Sequence, residues 1–313
     1  MKRVLSGRLA VSILTLAIGA GSVLAQGQSG QAPGTQSDDL NSRIVVHATN
    51  PHETAPTAGG TASLSPIGFH GGPVMGTPVA YLIWYGNWTQ SNGSDNSTGQ
   101  AIVRDFLFGV SGKPYFMINT SYNSVPSGFV NVGAEITDTG SLGTHLSDNN
   151  IRTIVVNAIT SKKLPPDPYG VYFVLTSSNI SKTGFCTQYC GWHTYTTVSN
   201  IPIKYSFVGN ANRCLNACAA QTISPNGNAG VDGMLSVVAH ELEEATTDPQ
   251  LNAWYDSSGA ENADKCAWTF GQKLPVELNG AYYNMTIGAR NYLIQRNLAT
   301  DNKCYVNWLT KAQ

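Results

Sequence analysis

The sequence predicts an α/β (α+β) fold, a mixed sheet packed with helices and with loops stapled by disulfides. Short apolar runs of strand length alternate with segments of helical period. One longer helical segment is apolar at first and then carries a histidine among several carboxylates. Six cysteines sit in a chain whose start reads as an export signal.

The elements follow in order. Lys2 and Arg3 open a charged start, and Val11 to Leu16 leads into an apolar run. Val23-Leu24-Ala25 supplies the small residues of a signal-peptidase site, so residues 1–25 read as a signal peptide rather than a spanning helix. Residues 26–65 are rich in Gly, Ser, Thr, Gln and Pro, too polar to bury a core, and read as a leader or linker. Whether that leader is a propeptide is left open by the sequence. Residues 66–313 suit a single domain, since no second linker interrupts them.

Val79 to Tyr85 is a continuous apolar and aromatic run ended by Gly86-Asn87, a buried strand. Asp95 to Ser97 caps a helix with Ile102, Val103, Phe106 and Leu107 on its apolar face, stopped at Gly109. Phe129 to Val132 is a second strand. Ser147 or Asp148 starts a helix through Ile151, Ile154, Val155 and Ile159. Val171 to Thr176 and Tyr205 to Gly209 are further strands. The tail from Ala267 onward is punctuated by aromatic residues and reads as hairpins or loops held by Cys304.

Composition narrows the function. Net charge is −1 with 12% charged residues, which argues against nucleic acid or a polybasic membrane surface as partner. No later stretch is long and apolar enough to span a membrane. The protein is expected to be secreted, or periplasmic in a Gram-negative host. Its cysteines then form disulfides. Short spacings suggest Cys186 with Cys190 and Cys214 with Cys218, leaving Cys266 with Cys304, although sequence alone does not choose among the pairings. Six Asn-x-Ser/Thr sequons, at Asn87, Asn92, Asn96, Asn119, Asn179 and Asn284, fit an exported surface.

The chemistry concentrates in Ala239 to Pro249. Met234 to Val238 leads in as helix, so His240 and Glu244, four apart, point to one spot. The zinc-protease motif His-Glu-x-x-His uses this geometry, with the inner Glu polarising water. Here Glu244 replaces the second histidine, and a carboxylate remains a zinc ligand. Glu241 is the candidate catalytic base, while Glu243 faces away. Pro249 ends the helix and Gly259 allows a sharp return. Glu261 is then the first choice for a third ligand, with Asp264 and Asp248 next; Asp248 could instead orient His240. The alternative is an acidic surface loop pinned by Cys266. His193, beside Cys190, reads as structural or exposed rather than as a ligand, and His145 more so. No phosphate-binding Gly-rich loop and no Gly-x-Ser-x-Gly elbow is present.

Tyr81-Leu82-Ile83-Trp84-Tyr85-Gly86-Asn87-Trp88 resembles the signature of the EXORDIUM (phosphate-induced protein) family. So do Val174 to Ser178, Gly184-Phe185-Cys186 with Cys190-Gly191 and His193, Phe207 to Asn210, and Val231 to Met234. The ordered set runs from about Gly71 to Cys304. The resemblance implies a secreted, wall-associated protein linked to growth, without a settled enzymatic activity. Plant members carry small and apolar residues where this chain has His240-Glu241-x-x-Glu244, so the helix resembles instead the metal-binding core of zincin-type peptidases.

Two readings follow. The first is a secreted zincin-like metallopeptidase-type hydrolase, with zinc on His240, Glu244 and Glu261 or Asp264, acting on peptide through Glu241. The second is a non-catalytic wall or matrix protein using Trp88, Trp192 and Trp254 as stacking platforms. A calcium ion bracing the acidic loop is a third. The oligomeric state is not legible.

Overall fold

The computed structural model describes residues 65–308. The signal peptide (1–25) and nearly all of the leader (26–65) lie outside the described residues. All described residues belong to the unit Asp39–Gln313; the unit Met1–Asp38 lies outside them.

Five strands form the central sheet. In chain order, with the helices between them, the elements are β1 (Val79–Tyr85), α1 (Ser97–Val110), β2 (Asn131–Asp138), α2 (Asp148–Thr160), β3 (Gly170–Thr176), β4 (Gly191–Val198) and β5 (Ile201–Gly209). The helix α3 (Ala229–Thr247) follows. The sheet order is β2-β1-β3-β5-β4, with β1 parallel to β2 and β3, β3 parallel to β5, and β4 antiparallel at the edge. The predicted mixed sheet is present.

The sequence builds this arrangement for plain reasons. β1 and β3 are continuous runs of apolar and aromatic residues, and all of β3 and all but Val79 of β1 are buried. Such strands need cover on both faces. Right-handed crossovers from β1 out to β2, and from β2 back past β1 to β3, place α1 and α2 on opposite faces. α2 contacts β3 and β5, while α1 meets α3. Each fully buried Leu, Ile or Phe in this core contributes about 1.5–3 kcal/mol relative to exposure.

Helix boundaries follow capping chemistry. Asn96 caps α1 by accepting from Gly99 N, and Ser147 with Asn150 makes a reciprocal capping box on α2. α1 runs one residue past Gly109 rather than stopping there. That glycine is where the helix meets the tail, since a Cβ on it would come 2.0 Å from Ile287 Cγ2. The second strand begins at Asn131 rather than Phe129, which is 55% exposed.

The edge strand β4 was absent from the sequence reading. It pairs with β5 from Gly191 opposite Val208 to Val198 opposite Ile201. Its two-residue turn, Ser199-Asn200, has φ of 51° and 64° at the two positions. Two successive left-handed residues give a turn whose twist matches an antiparallel hairpin.

Two of the three expected disulfides are corrected. Cys186 bonds Cys214 and Cys190 bonds Cys218, so the bridges run between the two C-x3-C segments rather than within them. The two segments lie side by side, and Cα separations of 5.8 and 5.4 Å across the pair suit a bridge. Cys266 bonds Cys304 as expected. The tail forms the antiparallel pairs Leu274–Pro275 with Tyr282–Tyr283, Met285–Ile287 with Arg290–Tyr292, and Asn297–Leu298 with Cys304–Tyr305.

Two of the sequons do not sit on a free surface. Asn119 is fully buried, and the Asn284 amide donates to the carbonyls of Phe270 and Ile294. Among the described residues no helix is long and apolar enough to cross a membrane.

Candidate metal centre

α3 is the most enclosed helix of the fold, with every residue from Val231 to Thr247 buried except Asp232. Asn228 caps its start by accepting from Val231 N, and it ends at Thr247, just before Asp248-Pro249. The site residues therefore do not form the floor of an open cleft. They lie where α3, β4 and the return segment after Gly259 come together.

His240 and Glu244 meet as the helical spacing predicts, with His240 Nε2 2.9 Å from Glu244 Oε1. The return segment brings in Asp264, whose Oδ1 lies 3.3 Å from His240 Nε2. Its backbone is tied to the helix, because Asp264 N donates to Glu244 Oε1 at 3.1 Å. Glu261 N donates to Asp264 Oδ2 at 3.0 Å, fixing the two acidic residues to each other. Gly259, at φ +86°, makes the predicted turn inside a loop where Asp256 accepts from Ser258 N and Ala260 N and pairs with Lys265.

His193 is the residue that sequence reasoning set aside. It projects from β4 into the cluster, with Nδ1 3.4 Å from both Glu241 Oε2 and Glu244 Oε2, and Nε2 3.7 Å from Glu261 Oε1. Its approach depends on Gly191, two residues earlier on the same strand. A Cβ there would meet Val237 Cγ1 at 2.5 Å and Glu241 Oε1 at 3.3 Å. A usable signal existed: the run Thr194-Tyr195-Thr196-Thr197-Val198 is rich in strand-forming residues. His145 lies elsewhere, exposed and paired with Ser181 Oγ.

Asp248 closes the end of the helix. Its Oδ1 accepts from Asn252 N and Ala253 N, closing the turn after the helix, and its carbonyl oxygen lies 3.4 Å from His193 Nε2. Glu243 does face away from the cluster, but not toward water. It is fully buried and accepts from Asn297 Nδ2 at 2.6 Å. Burial pushes its carboxyl well above the ordinary range, with Asn119 and Asn297 opposing.

The electrostatics are one-sided. His193, His240, Glu241, Glu244 and Glu261 are all within 3–5% exposure. Burial disfavours charge on both imidazoles, yet the surrounding carboxylates outweigh it and hold each well above the ordinary histidine range. For His193 these are Glu261, Glu241 and Glu244; for His240 they are chiefly Glu244 and Asp264. Burial pushes Glu241 and Glu261 up, His193 opposing in both cases. Glu261 Oε1 accepts no hydrogen bond. Four acids thus face two histidines, and the nearby Lys265 is committed to Asp256.

This donor set fits a divalent cation. Bonds of 2.0–2.1 Å in a tetrahedral site put neighbouring donor atoms about 3.4 Å apart. The closest approaches here, 2.9 to 3.7 Å, bracket that value. Two overlapping groups can each surround an ion: His193, Glu244 and Glu261, or His240, Glu241 and Glu244. Beside them is a cavity of about 10 Å³ lined by Cys190, Gly191, Val237, His240, Glu241, Trp268 and Gln295. It has room for about one water.

Both non-helical arms of the centre are anchored covalently. Cys190, three residues before His193, bonds Cys218, and Cys266, two residues after Asp264, bonds Cys304.

Comparison with known proteins places this architecture. The phosphate-induced protein 1 conserved region matches residues 67–304, nearly all of the described chain. The chain belongs to the EXORDIUM, or phosphate-induced protein 1, family. It is 31% identical to Protein EXORDIUM-like 3 of Arabidopsis thaliana over 280 residues, covering 75% of this chain and 81% of the relative. Protein EXORDIUM-like 5 of the same plant is 29% identical over 75% and 76% of the two chains. Protein PHOSPHATE-INDUCED 1 of Nicotiana tabacum is 26% identical over 72% and 83%. No solved structure matches. The run Tyr81 to Trp88, which carries the resemblance in the sequence, covers most of β1 and the turn after it. Trp88, Trp192 and Trp254 are 4%, 2% and 7% exposed, so none offers the stacking face that a wall-binding role on these residues would need.

Proposed function

We propose that this EXORDIUM-family protein is an exported zinc protein whose centre is of the hydrolytic kind. Glu244 would hold the ion together with His193 and Glu261, or together with His240 and Glu241, with Asp264 beside the second group. The supporting observation is the burial of four carboxylates against two histidines at ligand spacing. An unneutralised group of that kind is costly in a dry interior, and a divalent cation removes the cost. Export, with residues 1–25 as signal and 66–313 as one domain, is part of the same proposal, supported by three disulfides.

When bound, zinc would polarise a peptide carbonyl and favour ionisation of water. Glu241 lines the water-sized cavity beside His240, so its carboxylate can take the proton from water and return it to the leaving amine. Glu244 is tied by Asp264 N, and His193 by the Asp248 carbonyl, so both stay oriented through the cycle.

A second reading is favoured by one observation: the donors are nearly closed off from solvent. A sealed donor set is the mark of a structural metal, and the protein would then be a metal-braced, non-catalytic extracellular binding protein. The two readings separate on the Glu241→Gln variant of metal-loaded protein, assayed with a mixed peptide library. Hydrolysis by the parent, lost by about 10²–10⁴-fold in a variant that keeps its metal, supports the hydrolase. No cleavage by either, with metal retained, leaves the structural centre.

A further inference from the structure

A second site, independent of the metal centre, lies at the tail. A cavity of about 400 Å³ opens among the hairpins, lined by Phe270, Gln272, Asn284, Arg296, Tyr305 and Asn307 among others. Its size falls within the range of small-molecule pockets. The lining is aromatic, amide and aliphatic, with Arg296 its one cation and no acidic residue.

Arg296 is the anomaly. Its side chain is partly buried, and its guanidinium has no carboxylate partner among the described residues. Nε donates to Thr269 Oγ1 at 3.1 Å, while the backbone N donates to Thr269 O at 2.8 Å. The stem is thereby pinned and the far end of the fork is left for the cavity. Gly271, at φ +65°, runs beside the stem, and a Cβ there would be 3.4 Å from Arg296 Cδ. Burial alone pushes the guanidinium pKa down, with no acid opposing it. Two other lining side chains are already placed. Asn284 donates to two carbonyls, and Tyr305 donates to Asp301 Oδ2 at 2.7 Å.

An arginine held stiffly in a neutral, aromatic-walled cavity is a carboxylate receptor in waiting, because its planar fork matches a carboxylate bidentately. We propose that this cavity binds a small organic carboxylate of monosaccharide size, with Arg296 on the carboxylate and the walls of Phe270 and Tyr305 on the body of the ligand. A site kept for a ligand is also expected to add little stability in its absence, since the partly desolvated guanidinium has no carboxylate beside it.

Two measurements on the full-length protein test this. Calorimetric titration compares sodium glucuronate, glucose and inorganic phosphate as probes. Glucuronate is expected to bind about tenfold or more tightly than glucose, the difference of one charge-assisted contact. That preference should vanish in Arg296→Met. The same variant, free of ligand, is expected to melt at the parent temperature or above it. Equal affinity for glucose and glucuronate, no binding of either, or tighter binding of phosphate than of glucuronate would overturn the proposal. So would a lower melting temperature for Arg296→Met, which would make the arginine a structural brace.

Discussion

His193 Nδ1 lies 3.4 Å from Glu244 Oε2, so the edge strand and the central helix meet across a charged contact with almost no solvent. The pair joins two elements that are far apart in sequence, and it turns a helix motif into a centre. If His193 is a ligand, His193→Ala should weaken zinc binding by more than the roughly 10–100-fold typical of an outer-shell change. A competition titration against a chromophoric chelator measures it. An affinity within a few-fold of the parent would remove His193 from the ligand set.

Gly191 sets how closely the strand can approach. Gly191→Ala drives a methyl to within 2.5 Å of Val237 Cγ1 and 2.9 Å of the Phe207 carbonyl oxygen. The strand must shift, at an expected cost of about 1–3 kcal/mol. Because the shift also carries His193 outward, metal affinity should fall with stability. Adding Val237→Ala removes the first clash and should recover part of both losses, read by denaturant unfolding and chelator competition. No effect of Gly191→Ala on affinity would mean that strand position and metal binding are uncoupled.

The interleaved bridges Cys186–Cys214 and Cys190–Cys218 should act unequally on fold and site. An isolated loop of 28 residues gains about 3–4 kcal/mol from its cross-link. Replacing Cys190 and Cys218 by alanine leaves the neighbouring bridge closing almost the same loop, so the stability loss should be smaller than that. Metal affinity should fall further than stability does, because Cys190 anchors the strand three residues before His193. Equal losses in variants of either bridge would argue against that special role.

The return loop predicts an acid response. Burial raises the Asp256 carboxyl, but Lys265 and the hydrogen bonds of Ser258 and Ala260 more than offset it, leaving it lowered to about 2. A carboxyl lowered in the folded state binds fewer protons there than in the unfolded chain. Its stabilising contribution is present above the unfolded value near 4 and is lost as pH falls toward 2. Asp256→Asn should flatten the stability profile in that window and leave it parallel above pH 5. An unchanged acid limb would show that the Lys265 pair contributes nothing to folding.

Much of the fold is legible in the sequence where burial is two-sided. The runs in β1 and β3 have no polar alternation to confuse them, and α1 and α2 announce their starts with capping side chains and α3 its end with Pro249. β4 was missed because its polar threonines and His193 mask the pattern of a strand buried by a helix rather than by its own apolarity. For the same reason the site was only half legible. Spacing alone brings His240 to Glu244, whereas His193 arrives through sheet pairing and the close approach at Gly191, neither of which leaves a local period. The bridge partners were misread for a related cause. Proximity in sequence favoured Cys186 with Cys190, but the pairing is set by two segments packed side by side.

The central claim is that the buried His and Glu cluster holds a metal ion. Metal content by plasma mass spectrometry, on protein purified without chelator or nickel affinity and beside a His240→Ala control, tests it most directly. About one zinc per chain, lost in the control together with part of the thermal stability, is the predicted result. No metal in either protein, with both equally stable, would contradict it and leave the cluster as a buried proton-sharing network.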